Sequence, residues 1–176
     1  REWAPAADAM YLMGDFNDWN KSSHPMQKLD NGIFEITLKT KELWHGCRIK
    51  AVVVNGDQVL ERIPLYATRV EQDPETYLWT GVVWHPKKKY EWNDEGFKGE
   101  KIPYIYECHI GMAQEKYGVG TYKEFKENIL PRIKKLGYNT IQIMAVMEHP
   151  YYGSFGYQVS NFYAASSRYG KPEELK

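Results

Sequence analysis

The hydrophobic pattern of this chain changes period once, and that change limits the folds open to it. Up to about residue 86 the apolar residues come in short runs or strict alternation. Ile33, Glu35 and Thr37 would face one way and Phe34, Ile36 and Leu38 the other, which is the period of a half-buried strand. Residues 10–13 form a short apolar run that ends at Gly14. Residues 48–54 are rich in Val and Ile and stop at Asn55-Gly56, a dipeptide that favours tight hairpins, and residues 59–63 return to Pro64. Residues 78–84 read as a further strand stopped by Pro86. Short strands at such spacing, with turn residues between them, predict a β-sandwich.

Beyond a polar stretch (Pro86-Lys87-Lys88-Lys89, then Asn93-Asp94-Glu95-Gly96) the grammar is different. Residues 104–110 read as a buried strand. Thr121 and Glu124 have the spacing of a capping box, and Tyr122, Phe125, Ile129, Ile133 and Leu136 follow at the spacing of one helix face. Gly137 is the expected stop, and Pro131 should kink the helix by removing a backbone donor. Residues 140–146 are nearly all apolar, as in a strand buried on both faces. Strand, helix and strand together predict a parallel βαβ unit with a right-handed crossover. A second helix opens at Pro172-Glu173-Glu174.

The domain boundaries that follow are 1–86 for the sandwich, 87–101 for a linker and 102–176 for the βαβ segment. Two parallel strands and one full helix leave their faces uncovered, whereas a closed (β/α)8 barrel takes about 250 residues. The expectation is therefore a piece of a larger fold that breaks off at Lys176.

Composition excludes several functions. Twenty-three basic and 23 acidic side chains give zero net charge, without the basic excess of a nucleic-acid binder. No apolar run approaches the roughly 18 residues of a membrane span, and Arg1-Glu2-Trp3-Ala4-Pro5 is no signal peptide, which points to the cytoplasm. Cys47 and Cys108 form no Cys-x-x-Cys pair and read as buried free thiols. The five histidines lack metal-ligand spacing, so no metal and no cofactor is expected. Aromatics reach 15% of the chain, and such rings make flat platforms for the apolar faces of ligands.

Specific words then matter. Met10-Tyr11-Leu12-Met13-Gly14-Asp15-Phe16-Asn17-Asp18-Trp19-Asn20, with Trp3-Ala4-Pro5 before it, resembles the opening of a family-48 carbohydrate-binding module. Gln72-Asp73-Pro74 and Trp84-His85-Pro86 are similar to the module's exit. Tyr106-Glu107-Cys108-His109-Ile110-Gly111 resembles the first barrel strand of glycoside hydrolase family 13. Leu130-Pro131-Arg132-Ile133, Gly137-Tyr138-Asn139, Met147-Glu148-His149 and the run from Tyr151-Tyr152-Gly153 to Tyr157-Gln158-Val159 resemble eukaryotic-type glucan branching enzymes.

The resemblance covers nearly the whole chain. It implies an immunoglobulin-like β-sandwich followed by the first βαβ part of a TIM barrel. It implies an enzyme that cuts an α-1,4-glucan and transfers the piece to a 6-hydroxyl, by a retaining mechanism with two carboxyls about 5–5.5 Å apart. The partner is the glucan, glycogen or starch, together with the remainder of the barrel. The family's catalytic carboxyls lie on later strands, so no catalytic residue is carried onto this chain, and the chain alone is expected to be inactive. Glu107 and Glu148 are expected to be buried structural acids. Tyr157 matches the tyrosine that stacks under a sugar ring, with Gln158 and His149 beside it as substrate-binding or loop-ordering residues. Trp19, Lys50 and Trp44 are the glucan-binding residues expected in the module. The second tryptophan of many glycogen-binding modules is absent, and Gln58-Val59-Leu60 stands there instead. The alternatives are another family-13 hydrolase or debranching enzyme, and a non-catalytic glycogen-binding regulatory protein.

Overall fold

The computed structural model describes residues 1–176. The chain divides into two compact units, one of residues 1–87 with 161–164, the other of residues 88–160 with 165–176.

The first unit is built on two antiparallel sheets. Its first eight strands are β1 (Glu2–Trp3), β2 (Ala9–Gly14), β3 (Gln27–Lys28), β4 (Ile33–Glu35), β5 (Arg48–Asn55), β6 (Gln58–Arg62), β7 (Val70–Gln72) and β8 (Trp79–Val82). The larger sheet runs β2-β5-β8-β7, with β6 also on β5, and the smaller runs β1-β4-β3. One edge of β5 takes β2 in register from Ala9↔Val54 to Gly14↔Ile49. Its other edge is shared, β6 pairing Ala51–Asn55 and β8 pairing Arg48–Ile49. Met10 and Ala51 from the larger sheet meet Phe34 from the smaller in a buried cluster with Ala4, Ala7 and Met26. Burying Phe34 alone is worth about 2–3 kcal/mol. Because side chains alternate along a strand, Met13 and Lys50, paired across β2 and β5, lie on the opposite face.

The β5–β6 hairpin forms where the sequence places it, but one residue later than the dipeptide suggests. Asn55 pairs with Gln58, so Gly56 and Asp57 make the two-residue turn. Gly56 takes the first central position at φ 56°, which a side chain would resist, and its N–H donates to Asp8 Oδ2 at 2.7 Å.

Glu2 is a buried acid in this unit, 2% exposed. Its carboxyl accepts from Arg62 Nη2 and from the Leu65 N–H, each at 2.7 Å. Burial pushes its pKa up, and Arg62 works against that. Arg62→Ala leaves the carboxyl buried with one partner and should cost about 2 kcal/mol, since a lost partner is strongly destabilising inside a protein but Arg62 is partly exposed. Chemical denaturation of the two proteins checks this; equal midpoints would refute it.

In the second unit β9 (Ile105–His109) and β10 (Thr140–Met144) pair in parallel, from Thr140↔Ile105 to Met144↔His109. Between them lie α1 (Tyr122–Glu124), a wide turn over Phe125–Ile129 and α2 (Leu130–Lys135). The capping box is formed. Thr121 Oγ1 accepts from the Glu124 N–H at 3.2 Å, and Glu124 Oε2 accepts from the Thr121 N–H at 3.0 Å. The proline distorts more than it kinks. The Leu130 N–H reaches Phe125 O, one residue beyond the α pattern, and Pro131 falls in the first turn of α2, where its missing donor costs little. Cys108, Ile110, Tyr122, Phe125, Ile133 and Tyr169 form the core.

Two expectations need correction. β10 is half-buried rather than buried on both faces, and β9 is the one strand paired with it. The start of β9 is exposed, with Ile105 at 51%. Residues 88–101 carry no helix or strand and are exposed throughout. Strands β11 (Met147–Glu148) and β12 (Asn161–Ala165) and the short α3 (Pro172–Leu175) complete the elements. Cys47 and Cys108 are buried free thiols, and burial raises both pKa values. No helix is long and apolar enough to cross a membrane.

Candidate functional site

A groove of about 450 Å³ lies on the larger sheet of the first unit, and Met13, Trp19, Lys50, Glu61, Leu78 and Thr80 are among its lining residues. Pairing explains why these residues meet. β2 puts Met13 opposite Lys50, and Trp19 follows from the turn after β2. That turn is held from within by Asn17, whose Oδ1 accepts from the Gly14 N–H at 3.0 Å and whose Nδ2 reaches Ser23 Oγ at 3.0 Å. Asp18 and Trp19 both take left-handed backbone, at φ 50° and 58°. A bulky residue there is strained by about 1–3 kcal/mol. The Trp19 N–H donates to Gly14 O at 2.9 Å, which helps hold the conformation.

Charge in the groove is balanced. Lys21, Arg48 and Lys50 line it, and so do Glu61, Asp73 and Glu75. Glu61 bridges Lys21 at 2.8 Å and Lys50 at 3.4 Å, and the Lys21 contact leads in holding its carboxyl below the usual range. Arg48 sits between Asp15 at 3.3 Å and Asp73 at 2.9 Å. Paired charges around an aromatic ring offer many hydrogen-bonding atoms and no net field. That suits an uncharged polyhydroxylated ligand and disfavours a phosphate or nucleic acid. Trp44 does not line the groove. It stands 47% exposed in a turn anchored by Cys47 N–H to Trp44 O at 3.1 Å and Gly46 N–H to Val83 O at 2.9 Å.

The second unit has a cleft of about 710 Å³ that runs along β9 and α2 to the C-terminal ends of the parallel strands, lined among others by Tyr106, Glu107, His109, Ile133, Met144 and Tyr157. Tyr157 is 80% exposed, so its ring is open to a ligand. Gln158 is exposed beside it but does not line the cleft. His149 is fully buried: its Nδ1 lies 3.0 Å from Met147 O and its Nε2 3.4 Å from Tyr169 Oη. It is placed to order the loop and has no surface to offer a sugar. Glu148 is the buried, hydrogen-bonded acid expected, whereas Glu107 is exposed and accepts from Gln142 Nε2 at 2.7 Å across the strand pair. The sequence run is apolar around Glu107, but its alternation turns that side chain outward.

Under the cleft, Tyr169 Oη also approaches His109 Nε2 at 3.5 Å. Motif reasoning missed this His109–Tyr169–His149 cluster; its members are too far apart in sequence to signal one another. Burial first, then the neighbouring His149, hold His109 below the ordinary value near 6.5. Phe155 also faces it, and Tyr169, pushed upward by burial, stays a phenol. A lowered folded value means the unfolded chain takes up its proton first. His109's contribution to stability is therefore complete above about pH 6.5 and is lost as pH falls through that value toward the folded one. Melting temperature should drop between pH 7.5 and 5, and less steeply in His109→Gln. Parallel pH profiles would refute this. No group of three His, Cys, Asp or Glu side chains could hold a metal ion.

Comparison with known proteins finds relatives along the whole chain. Residues 1–74 match the model of carbohydrate-binding module 48 (isoamylase N-terminal domain). The groove lies largely within the matched residues, so the first unit is similar to a carbohydrate-binding module. More particularly, the chain is homologous to the N-terminal part of 1,4-alpha-glucan-branching enzymes. It is 46% identical to that of Dictyostelium discoideum over 100% of this chain and 27% of the relative, and 44% identical to that of Felis catus over 100% of this chain and 26% of the relative. The chain thus spans about a quarter of the length of these relatives. The fold is also that of a Group B Streptococcus pullulanase, with TM-score 0.74 and 20% identity over 98% of this chain and 28% of that one. A type I pullulanase from Bacillus subtilis gives TM-score 0.72 at 22% identity over 98% of this chain and 28% of that one.

Proposed function

We propose that this chain is the N-terminal part of an enzyme that cuts an α-1,4-glucan and transfers the piece to a 6-hydroxyl, forming an α-1,6 branch. The observation that carries this is identity of 43–46% to 1,4-alpha-glucan-branching enzymes along the whole chain. Residues 1–86 are an immunoglobulin-like glucan-binding module, 87–101 a linker, and 102–176 the opening βαβ of a TIM barrel. Tyr157 is the platform under the sugar ring next to the cleaved bond. Its exposed ring at the strand ends supports that role, because a pyranose face carries C–H groups that pack on an aromatic ring. His149 and the buried cluster hold the loop; Gln158 faces solvent within reach of sugar hydroxyls. The two reacting carboxyls of a retaining mechanism come from outside these residues, so the chain alone forms no branches.

The test is to incubate the full-length polypeptide with amylose and count α-1,6 linkages by proton NMR. New branches without net release of reducing ends support branching. Release of reducing ends with no branches would make the protein a hydrolase instead, and glucan binding with neither outcome would make it a regulatory binder.

The groove on the module is the second glucan contact, supported by the Trp19 face, Lys50 and the balanced charge. Trp19→Ala removes the platform and should weaken glycogen retardation by about 2 kcal/mol, roughly thirtyfold in affinity. Affinity electrophoresis measures it. Unchanged retardation would move the binding surface elsewhere, Trp44 being the next residue to substitute.

A further inference from the structure

The ring that makes the groove useful is not held by the groove. Trp19 lies in a strained turn, and an indole there has two side-chain torsions to fix. What fixes them is Asp15, which is not among the lining residues. Asp15 Oδ1 accepts from Trp19 Nε1 at 3.1 Å. Its Oδ2 accepts from the Arg48 backbone N–H at 2.8 Å and from Arg48 Nε at 3.3 Å. The same guanidinium then donates from Nη1 to Asp73 Oδ2 at 2.9 Å. Asp73 organises the opposite wall: its Oδ1 accepts from the Glu75 and Thr76 N–H groups at 3.0 and 2.8 Å, and its own N–H donates to Leu78 O at 2.9 Å. One carboxyl thus ties the indole edge to the sheet and, through Arg48, to the turn bearing Thr76 and Leu78.

We infer that Asp15 is the positioning residue of the groove, presetting the Trp19 ring face against the 73–78 wall for an uncharged, flat saccharide. The inference rests on the glucan reading of the groove given above. It also states how the ring is used. The Nε1–H is spent on Asp15, so Trp19 offers a ligand its face and no hydrogen bond, and the hydroxyl contacts fall to Lys50, Glu61 and Thr76. A ring locked before binding costs less side-chain entropy on contact, which is where preorganisation raises affinity.

The experiment is a double-mutant cycle on the 176-residue chain, with maltoheptaose as ligand and isothermal calorimetry as readout. Near-UV dichroism first establishes that each variant is folded. Asp15→Asn keeps the shape but loses an acceptor, because one oxygen cannot serve both the indole and Arg48. It should weaken binding about tenfold. Trp19→Phe keeps a ring and removes the Nε1 donor. In that background Asp15→Asn should cost far less, because its target is gone. A second readout needs no ligand: the indole N–H signal that Trp19→Phe deletes should exchange slowly with solvent in the wild type and quickly in Asp15→Asn. Equal losses in both backgrounds, or slow exchange retained in Asp15→Asn, would overturn the positioning role while leaving the groove a glucan site. A wild-type chain that takes up no maltoheptaose would overturn the glucan reading itself, and with it any saccharide for Asp15 to serve.

Discussion

Glu148→Ala is expected to lower the stability of this protein by about 4 kcal/mol, the sum of two or three orphaned buried donors. Glu148 is wholly buried, and so is Ser166. Its Oε2 accepts from the Ser167 N–H at 2.7 Å; its Oε1 accepts from the His149 N–H at 3.2 Å and lies 3.4 Å from Ser166 Oγ. Alanine removes the protein partner of all three. The same residue's backbone O accepts from Ser160 N–H at 2.9 Å, so the 149–160 loop is tied to residue 148 at both ends. Thermal melting should therefore shift by about 10 °C, at 2–4 °C per kcal/mol for a chain of this size. Glu148→Gln retains one acceptor oxygen and should lose about half as much. If Glu148→Ala melts within a degree or two of wild type, the acid is not the staple described, and the loop bearing Tyr157 is held by other contacts.

Local rules explain which parts of this structure could be foreseen. The Thr121–Glu124 capping box is a contact between residues three apart, so the sequence carries the whole interaction, and it forms as written. The β5–β6 hairpin is likewise local, and only its register moves by one residue. Pro131 announces a disturbed helix, but whether the chain kinks or widens depends on where the freed carbonyls find donors, and here Leu130 reaches back to Phe125. The sites are harder. Trp19 and Lys50 are recognisable singly, yet their meeting depends on Met13 pairing with Lys50, which follows from sheet register. The Asp15–Arg48–Asp73 chain and the His109–Tyr169–His149 cluster join residues 20 to 60 positions apart, and no spacing rule reports such contacts. Glu107 illustrates the opposite error: its apolar neighbours suggest burial, while strand alternation turns it to the surface.

The second large effect lies in the loop that carries Tyr157. Gly156 is at φ 86°, and a Cβ added there would sit 2.2 Å from the Cβ of Ala145 and 2.5 Å from its Cα. Ala145 itself is left-handed, at φ 56°, and so is Phe155, at φ 50°. Gly156→Ala therefore adds backbone strain to an overlap that no rotamer can relieve, about 3 kcal/mol in all. The overlap has two contributors, and that gives the test its force. Ala145→Gly removes the opposing Cβ and relieves the left-handed strain at 145. In the Gly156→Ala background it should recover roughly half of the loss, a coupling beyond the few tenths expected of independent sites. With the sugar-platform role proposed for Tyr157 above, the consequence in the full-length polypeptide should be larger than the stability change suggests. Tyr157 is the next residue, and a ring displaced by about 1 Å can cost on the order of a hundredfold in rate. Branch formation measured well below the melting temperature separates the two effects. A Gly156→Ala protein that is less stable but branches at the wild-type rate would show that the loop resettles with Tyr157 in place, and that the ring's position is set by the ligand rather than by the fold.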